Sequence, residues 1–404
     1  MLVKGSNRGL LQDLNEKKIY SIDKSSKELL SELNKGKKIS TVLAALKEED
    51  KEGFSQYLQL LVDKNLGSFS DLWIKPEKLN KSLMSKIDTV WLELRKGCNL
   101  NCCHCYLDSN PKRDKGLKLL SLREWLSIIE ELKKYKPKRI ILIGGEPLLF
   151  EDIEKLISSI RNSLISTEIV LYSNLTLLTE STIKCLSENK VKVVTSIYSS
   201  SAEVHDKITR SRGSFDKTIA AIKKLKKSNV FPKANTVVMK YNEKEVKSIK
   251  EYIYSLTGKN AKFDIIRDVG IAKKELIPTQ GKGEQEKKKL GFKGISKEEY
   301  IRNISGNSCW QGKLNISCDG YVSPCIMGEG LIDKSFNVRN NTLEEILEEY
   351  LKPRFWSLTR DKLDTCRECE YRYVCKDCRP KEMKDNNLYG KDKNCTYEPV
   401  RGKQ

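Results

Sequence analysis

The segment CNLNCCHCY, residues 98–106, is the feature that most restricts what this chain can be. It places four cysteines and one histidine within nine positions. Cysteines grouped in a long chain are more typical of metal binding or redox chemistry than of disulfides. Cys98, Cys102 and Cys105 are spaced C-x3-C-x2-C directly after a predicted strand. Three thiolates on one loop can ligate three corners of a cubane iron–sulfur cluster, which leaves the fourth iron open to a substrate or cofactor.

Length and charge set the broad class of the protein. A chain of 404 residues predicts two or three domains with a large core. No apolar run is long enough to span a bilayer, and the start MLVKGSNRG has no apolar signal segment, so we expect a soluble cytoplasmic protein. The net charge is +20, but the lysines are spread along the chain, which favours a solvated surface over a nucleic-acid site. An acidic peptide or an anionic cofactor would also suit this charge.

Residues 1–85 predict a small winged-helix-like unit. The stretch GLLQDLNEKKIYSID predicts two strands around a turn at residues 14–17. A helix follows, with Ser25 or Ser26 as its N-cap and Gly36 as its stop, and two further helical stretches come after it. Units of this kind can bind DNA, or can bind a peptide along a strand edge.

Residues 86–270 alternate predicted strands with predicted helices. The six predicted strands are Thr89–Arg95, Arg139–Gly144, Glu168–Ser173, Val191–Tyr198, Ala234–Met239 and Lys262–Asp268. This order predicts an α/β fold, with a parallel sheet curved into a partial (β/α)6 TIM-like barrel. Ligands in such folds gather at the carboxyl ends of the strands. Arg267 and Asp268, at the end of the sixth strand, would face the cavity or form a structural ion pair.

Local signals mark several helix starts, and the rest of the chain divides in two. Ser121 and Glu124 form a predicted capping box, and Thr179, Ser214 and Asn242 are predicted caps. Residues 271–304 are charged and punctuated by glycine, which indicates a linker or bridging region. Residues 305–404 are rich in cysteine and weakly periodic, so we expect a domain organised by metal as much as by apolar burial.

The first cysteine group resembles the signature of the radical S-adenosylmethionine enzymes. That signature is C-x3-C-x-aromatic-C, after the first strand of a partial barrel, and His104 stands here at the aromatic position. Cys103 lies between two ligand positions and receives no role from the resemblance. The alternative is a zinc site built on C-x2-C.

Further motifs follow in the order that the family has them. IGGEP, residues 143–147, resembles the segment that accepts the amino group of the methionine moiety, and YSNLTLL, residues 172–178, resembles T-N-G-T-L-L with Leu175 in place of glycine. The segment 196–215 is similar to the family's fourth-strand region. The cofactor contacts that the resemblance implies are Tyr106, Gly144, Gly145, Glu146, Ser173, Asn174, Ser196 and Arg210. His205 is expected to be a surface or capping residue.

The chemistry implied by the resemblance is reductive. An electron from a low-potential donor enters the [4Fe–4S] cluster, and S-adenosylmethionine is cleaved to methionine and a 5′-deoxyadenosyl radical. That radical takes a hydrogen atom from the substrate. The cofactors supply this chemistry, while the protein positions them and excludes water and oxygen.

The second cysteine group resembles the SPASM extension of these enzymes, which houses two auxiliary [4Fe–4S] clusters. The resemblance assigns Cys366, Cys369, Cys375 and Cys395 to the distal cluster. It assigns Cys309, Cys325 and Cys378 to the nearer one. Cys318 is either the fourth ligand of that cluster or not a ligand, in which case one iron stays open. Two residues, Lys376 and Asp377, separate the last pair of the four-cysteine run, where the family has three. Two zinc knuckles are the alternative, and Cys185 is expected to be a small buried hydrophobe.

The function implied by the resemblance is peptide maturation. Relatives with this extension mostly modify peptides, and residues 1–85 are similar to a precursor-peptide recognition element. We therefore expect a maturase that crosslinks a ribosomally made peptide through a thioether or C–C bond. Its expected partners are a precursor peptide with a leader and a low-potential donor such as flavodoxin or ferredoxin, with no nucleic acid or membrane. The alternatives are an anaerobic sulfatase-maturating type that makes formylglycine, and an iron–sulfur DNA-binding regulator.

Overall fold

The computed structural model describes residues 1–72, 79–81, 86–266, 270–279, 292–376, 378–382, 387–392 and 395–402. The chain forms two compact units, each assembled from separate segments. The first unit comprises Met1–Leu83, Lys288–Cys309 and Ser357–Gln404, and the second comprises Met84–Lys287 and Trp310–Trp356. These units are not consecutive along the chain, and the four predicted domain ranges stay a prediction.

The second unit is built on an eight-stranded sheet with the order β11-β10-β4-β5-β6-β7-β8-β9. Its strands are β4 (Thr89–Arg95), β5 (Arg139–Gly144), β6 (Glu168–Tyr172), β7 (Lys192–Ser196), β8 (Lys233–Val238), β9 (Lys262–Ile265), β10 (Lys313–Ile316) and β11 (Val322–Ser323). Strands β4 to β9 are parallel, which confirms the predicted α/β sheet. Arg267 and Asp268 lie outside the described residues.

Helices follow the parallel strands in the predicted alternation. They are α4 (Leu122–Leu132), α5 (Ile153–Ser163), α6 (Glu180–Glu188), α7 (Ala202–Thr209), α8 (Ser214–Lys227) and α9 (Val246–Thr257). Each buries one apolar face, as Trp125 and Leu132 of α4 illustrate with no exposed surface. Burial of one such side chain stabilises the folded protein by roughly 1.5–3 kcal/mol, and this burial holds the helices in place.

Two predicted helix caps are confirmed, one is wrong, and one is a cap by position only. Ser121 and Glu124 form a capping box, and the Thr179 hydroxyl accepts from Thr182 N. Ser214 is the first residue of α8 rather than its cap. Asn242 occupies the N-cap position of a 3₁₀ turn, Glu243–Glu245, but its side chain makes no cap bond. Its Nδ2 donates to Tyr198 O at 2.8 Å and its Oδ1 accepts from Met239 N at 2.8 Å, which links the segments that follow β7 and β8.

A hairpin from the cysteine-rich region extends the barrel sheet. Strand β10 pairs in parallel with β4, with Asn315 opposite Trp91, and β11 returns antiparallel to β10. After it come α11 (Leu343–Glu345) and a π-helical stretch, Ile346–Trp356, which contains Pro353. Trp356 is fully buried, and its Nε1 donates to Lys313 O at 3.0 Å. These contacts make residues 310–356 part of the barrel unit.

The first unit begins with a three-stranded antiparallel sheet in the order β1-β2-β3. The strands are β1 (Leu2–Lys4), β2 (Gly9–Asp13) and β3 (Lys18–Ile22), and the helices are α1 (Lys24–Asn34), α2 (Ile39–Ala44), α3 (Glu48–Asp63), α10 (Lys297–Ser305) and α12 (Arg379–Glu382). The predicted hairpin and three helices are confirmed, and β1 was missed. Asp23, not Ser25 or Ser26, caps α1 by accepting from Ser26 N at 2.7 Å.

The core beneath this sheet is formed by residues that lie far apart in the sequence. Val3 and Leu10 of the sheet pack with Tyr300 and Ile304 of α10 and with Val374. A separate cluster around Val42, Phe54 and Leu58 holds α1 to α3 together. No helix among the described residues is long and apolar enough to cross a membrane.

Candidate functional site

A cavity of about 420 Å³ opens at the carboxyl ends of the parallel strands. Its wall combines residues at or just after the carboxyl ends of β5 to β9 with three cysteines of the 98–106 loop. The position agrees with the expectation for parallel α/β sheets, because strand ends and the loops after them converge there. The volume falls in the range of small-molecule and cofactor sites.

Cys98, Cys102 and Cys105 all contribute to the cavity wall. Two backbone amides point at their sulfurs: Leu100 N lies 3.4 Å from Cys98 Sγ, and Ser109 N lies 3.3 Å from Cys105 Sγ. Burial raises the pKa of the Cys98 thiol to about 12 and that of Cys102 further. Thiols in this setting ionise only when a cation compensates the charge, as ligation to iron does. Three soft sulfur donors on one wall fit an iron–sulfur cluster.

Among the described residues, no three His, Cys, Asp or Glu side chains converge on the position of a single metal ion. The charges of Cys98 and Cys105 nevertheless help to raise the pKa of Cys102, so the three thiols lie near one another.

Cys103 differs from its neighbours in the loop. Its side chain is buried in an apolar cluster with Tyr198, Ile208 and Met239, and its backbone N donates to Ile208 O at 2.9 Å. It is not among the residues described as lining the cavity. Packing therefore accounts for the fourth cysteine, to which the sequence assigned no role.

Gly144 and Gly145 bring the end of β5 against the cysteine loop. Gly144 has φ +139°, and a Cβ there would lie 2.2 Å from Arg95 O. A Cβ on Gly145 would lie 2.1 Å from Gly97 O. Both positions therefore require glycine, since backbone atoms cannot move aside. Both glycines line the cavity, where a ligand can approach their backbone closely.

The side chain of Glu146 forms hydrogen bonds that hold the IGGEP loop in place. Its carboxylate accepts from Ser173 Oγ at 2.7 Å, Asn174 N at 2.8 Å and Leu148 N at 3.0 Å, and it has no exposed surface. Burial raises its pKa to about 7, while the three hydrogen bonds act to lower it. The side chain ties the IGGEP loop to the end of β6. Its predicted contact with a methionine amino group stays a prediction.

Asn174 links the end of β6 to the cysteine loop. Its Nδ2 donates to Asn99 Oδ1 at 2.9 Å, and Asn99 in turn donates to Thr176 Oγ1 at 2.7 Å. Ser173 and Asn174 both line the cavity. Leu175, at the family's glycine position, is buried with φ +64°, so the left-handed conformation is kept at a steric cost.

Both histidines of the chain lie beside Tyr198 in the cavity wall. The His104 ring meets the Tyr198 ring edge-on at 4.7 Å, and the His205 ring lies 5.4 Å from it. His205 Nδ1 accepts from Tyr198 N at 3.3 Å, and burial lowers the pKa of each histidine to about 4. Both rings are therefore neutral. The expected surface position of His205 was wrong, because the residue is 2% exposed.

The remaining predicted cofactor contacts divide by location. Tyr106 and Ser196 line the cavity. Arg210 ends α7 in the left-handed conformation at φ +52°, has an exposed side chain, and is not among the residues described as lining the cavity. Sequence reasoning missed His205 and Tyr198 as cavity residues, since their placement depends on the contact between α7 and the segment after β7.

The cysteine-rich segments supply thiols in both units. In the second unit, Cys318 is fully buried with its pKa raised to about 12 by burial, and its carbonyl accepts from Leu120 N at 2.6 Å. Cys325 lies two residues after β11, and Gly320 in the preceding β10–β11 turn has φ +90°. The side chain of Asn337 lies 2.5 Å from where a Cβ on Gly320 would be, so glycine is required.

In the first unit, Cys366 and Cys369 share one 3₁₀ turn, and Cys369 N donates to Cys366 O at 3.0 Å. Burial raises the pKa of Cys369 to about 12, and the charges of Cys366 and Cys375 raise it further, which places three thiols near one another. Cys378, Cys395 and Cys309 also belong to this unit. Asp377 lies outside the described residues, and the assignment of each cysteine to a cluster stays a prediction.

Comparison with known proteins identifies two domains. Residues 92–253 match the Radical SAM superfamily, and residues 309–370 match the SPASM iron–sulfur cluster-binding domain. The AdoMet-dependent heme synthase of Methanosarcina barkeri is 27% identical over 340 residues, covering 76% of this chain and 95% of that protein. A GTP 3′,8-cyclase of Clostridium perfringens is 27% identical over 66% of this chain and 89% of its own length. The subtilosin biosynthesis protein AlbA of Bacillus subtilis is 24% identical over 74% of this chain and 69% of its own length.

Solved structures share the fold. Streptococcus suis SuiB matches with a TM-score of 0.62 at 16% identity, covering 98% of this chain and 99% of SuiB. The anSMEcpe structure with bound AdoMet matches with a TM-score of 0.54 at 21% identity, covering 75% of this chain and 92% of that one. The cysteine-lined cavity and the parallel sheet are the features expected from the two domain matches. The chain is a radical S-adenosylmethionine enzyme that carries a C-terminal SPASM domain for further iron–sulfur clusters.

Proposed function

We propose that this enzyme matures a ribosomally synthesised peptide by forming an intramolecular crosslink, either a thioether or a C–C bond. The observation that carries the proposal is the N-terminal sheet and its three helices, residues 1–63. A radical enzyme acting on a small molecule has no need of such a unit. The likeness to SuiB covers 98% of this chain, and a further SuiB structure contains the precursor peptide SuiA.

Strand β3 offers a place for a leader segment. It pairs with β2 through residues 18–22, and within the described part of the chain no strand pairs with its other edge. An open strand edge presents backbone donors and acceptors that an extended peptide can complete. Ile19 and Tyr20 are half-buried there, so they can contact alternate side chains of such a peptide. The positive charge of the chain would favour an acidic leader.

The cavity residues divide the work of binding and orientation. Cys98, Cys102 and Cys105 would hold a [4Fe–4S] cluster, while the backbone of Gly144 and Gly145 leaves room for a ligand beside it. S-adenosylmethionine bound to such a cluster would supply the radical chemistry of the reaction. The apolar wall, which includes Ile143, Val194 and Ile326, excludes water from the space where a substrate hydrogen would be taken.

The SPASM cysteines fit the need for a further electron acceptor. Forming a crosslink removes two hydrogens, and abstraction of one hydrogen atom leaves a substrate radical that must still lose an electron and a proton. Auxiliary clusters held by Cys366, Cys369 and their partners would accept that electron. We assign the proton to no residue.

Formylglycine formation is the second candidate. The likeness to anSMEcpe favours it, since the solved structures of that protein include one with a bound peptide, Cp18Cys. That likeness covers 75% of this chain, whereas SuiB covers 98%. The larger coverage supports crosslinking as the first candidate.

Anaerobic co-expression with each small peptide encoded nearby tests the proposal. The expected product is a peptide lighter by two hydrogens per crosslink, with fragmentation blocked between the joined residues. A formylglycine mass would support the second candidate. Turnover of GTP or a porphyrin, with every peptide left unchanged, would overturn both.

Two cysteine variants form the matched control. C102A should abolish the product and lower the iron and sulfide content, because Cys102 lines the cavity. C103A should retain both, since Cys103 packs into the apolar cluster beside Ile208. Equal loss of cluster iron in the two variants would contradict the assignment of ligands.

A further inference from the structure

A basic turn follows directly after the cysteine loop. We use this name for residues 107–118, LDSNPKRDKGLK. Lys112, Lys115 and Lys118 are exposed on it. Neither cofactor binding nor peptide recognition, as described above, uses these side chains.

The basic turn is fastened to the cysteine loop at two points. Cys98 N donates to Asn110 O at 3.2 Å. The Asp114 carboxylate accepts from Lys96 N at 2.9 Å and from Gly97 N at 2.8 Å. The turn and the residues that would hold the cluster therefore form one connected piece of backbone.

Internal hydrogen bonds fix the shape of the basic turn. Arg113 N donates to Asn110 O at 3.1 Å, Lys115 N donates to Lys112 O at 3.0 Å, and Leu117 N donates to Asp114 O at 3.1 Å. The lysines therefore project from a defined surface. Since Lys112 is two residues from Asn110, its Cα lies within about 14 Å of the Cα of Cys98.

The charge of this surface is not neutralised locally. Asp114 is paired with Arg95 at 3.2 Å, and Arg113 is paired with Glu329 at 3.7 Å. Lys112, Lys115 and Lys118 form no ion pair within the residues that the structure describes. The turn contains two acidic residues, Asp108 and Asp114, and Asp114 is already paired with Arg95.

Reduction of the cluster requires one electron from outside the chain. The rate of electron transfer falls steeply with distance, so a carrier must dock near the cysteine loop. We propose that the basic turn docks a small acidic one-electron carrier protein, which reduces the cluster held by Cys98, Cys102 and Cys105. One electron leaves the reduced carrier and enters the cluster, and no bond is made or broken. The inference rests on the radical S-adenosylmethionine chemistry and is independent of the peptide substrate.

The test measures how the triple variant K112E/K115E/K118E is reduced by two different electron donors. With reduced flavodoxin at low ionic strength, the second-order rate constant for cluster reduction should fall by about ten- to a thousand-fold. With dithionite, which needs no docking surface, formation of 5′-deoxyadenosine should stay within about twofold of wild type. The difference with flavodoxin should shrink in high salt, because screening shortens the range of the charges.

A matched charge reversal controls for net charge. K223E/K227E/K250E changes three exposed lysines on α8 and α9 of the same unit. Its reduction by flavodoxin should stay within about twofold of wild type. The affinity of each variant for oxidised flavodoxin, measured by calorimetry, gives a readout that needs no turnover. Equal losses in the two triple variants, or unchanged flavodoxin affinity in the basic-turn variant, would overturn the proposal.

Discussion

Glu93 is a carboxylic acid held inside the barrel unit, on the same face of β4 as Trp91. It is 5% exposed, and burial raises its pKa to about 8 against the attraction of Lys96. The folded state therefore keeps a proton that the unfolded chain releases near pH 4.5. The stability due to this proton is complete below pH 4.5 and is lost as the pH rises towards 8.

We expect E93Q to remove this pH dependence. Between about pH 5 and 8, the unfolding free energy of wild type should fall relative to E93Q, by at most about 1.4 kcal/mol per pH unit. Denaturant unfolding of both proteins at pH 6 and pH 8 measures the change. E151Q, at an exposed glutamate, should keep a constant difference from wild type. A constant difference for E93Q as well would contradict the burial argument.

At the scale of elements, one carboxylate joins α7 to α8. The Asp206 side chain accepts from Gly213 N at 2.6 Å, Ser214 Oγ at 2.8 Å and Phe215 N at 2.9 Å. Burial acts to raise its pKa, but these three hydrogen bonds lower it below the ordinary value. Asp206 therefore caps α8 from the preceding helix and sets the approach of two helices that carry cavity residues.

Removing this cap should loosen the cavity wall. D206A should lower the unfolding free energy by about 2 kcal/mol, because a charged acceptor for two helix-end amides is lost. It should also weaken S-adenosylmethionine binding, which equilibrium dialysis measures, since His205 and Thr209 of α7 line the cavity. S201A is the matched control: Ser201 occupies the N-cap of α7 but makes no side-chain cap bond. An equal effect of S201A would show that Asp206 acts in some other way.

At the scale of the whole molecule, the N-terminal sheet is part of a larger unit. Val3 and Leu10 share a core with Tyr300 and Val374, which are about 290 or more positions away along the chain. The helices α1 to α3 have their own cluster around Val42. A substitution in the core beneath the sheet should therefore destabilise the cysteine-rich segments as well. A substitution in the core of the helices should destabilise only those helices.

Hydrogen exchange distinguishes these two behaviours. L10A should cost about 2–5 kcal/mol and speed amide exchange in α10 and around Val374. V42A should speed exchange within α1 to α3 and leave α10 unchanged. Identical exchange of α10 in both variants would contradict a shared core. The same measurement tests whether residues 1–85 behave as a separate domain.

Local patterns were enough to predict much of the barrel. Both ends of β4 and of β5 agree with the prediction, because these largely apolar strands end at polar or glycine residues. The cap of α6 by Thr179 was equally local. Strand β1 was missed, because three residues give little periodicity to detect. Asp23 was missed as a cap because Ser25 and Ser26, which are also good N-cap residues, follow it directly. Asp206 was missed because it caps α8 from seven to nine positions away along the chain.

The sequence by itself determined the chemistry, because ligand type and spacing on one loop are covalent properties of residues 98–105. It also determined the parallel strands, whose periodicity is local. Only the tertiary structure decided which cysteine lies away from the cavity, that Glu146 joins the IGGEP loop to the end of β6, and that His205 is buried. It alone showed that β10 extends the barrel sheet and that the N-terminal sheet shares a core with α10. Those outcomes depend on contacts between residues far apart in the chain, which no local pattern records.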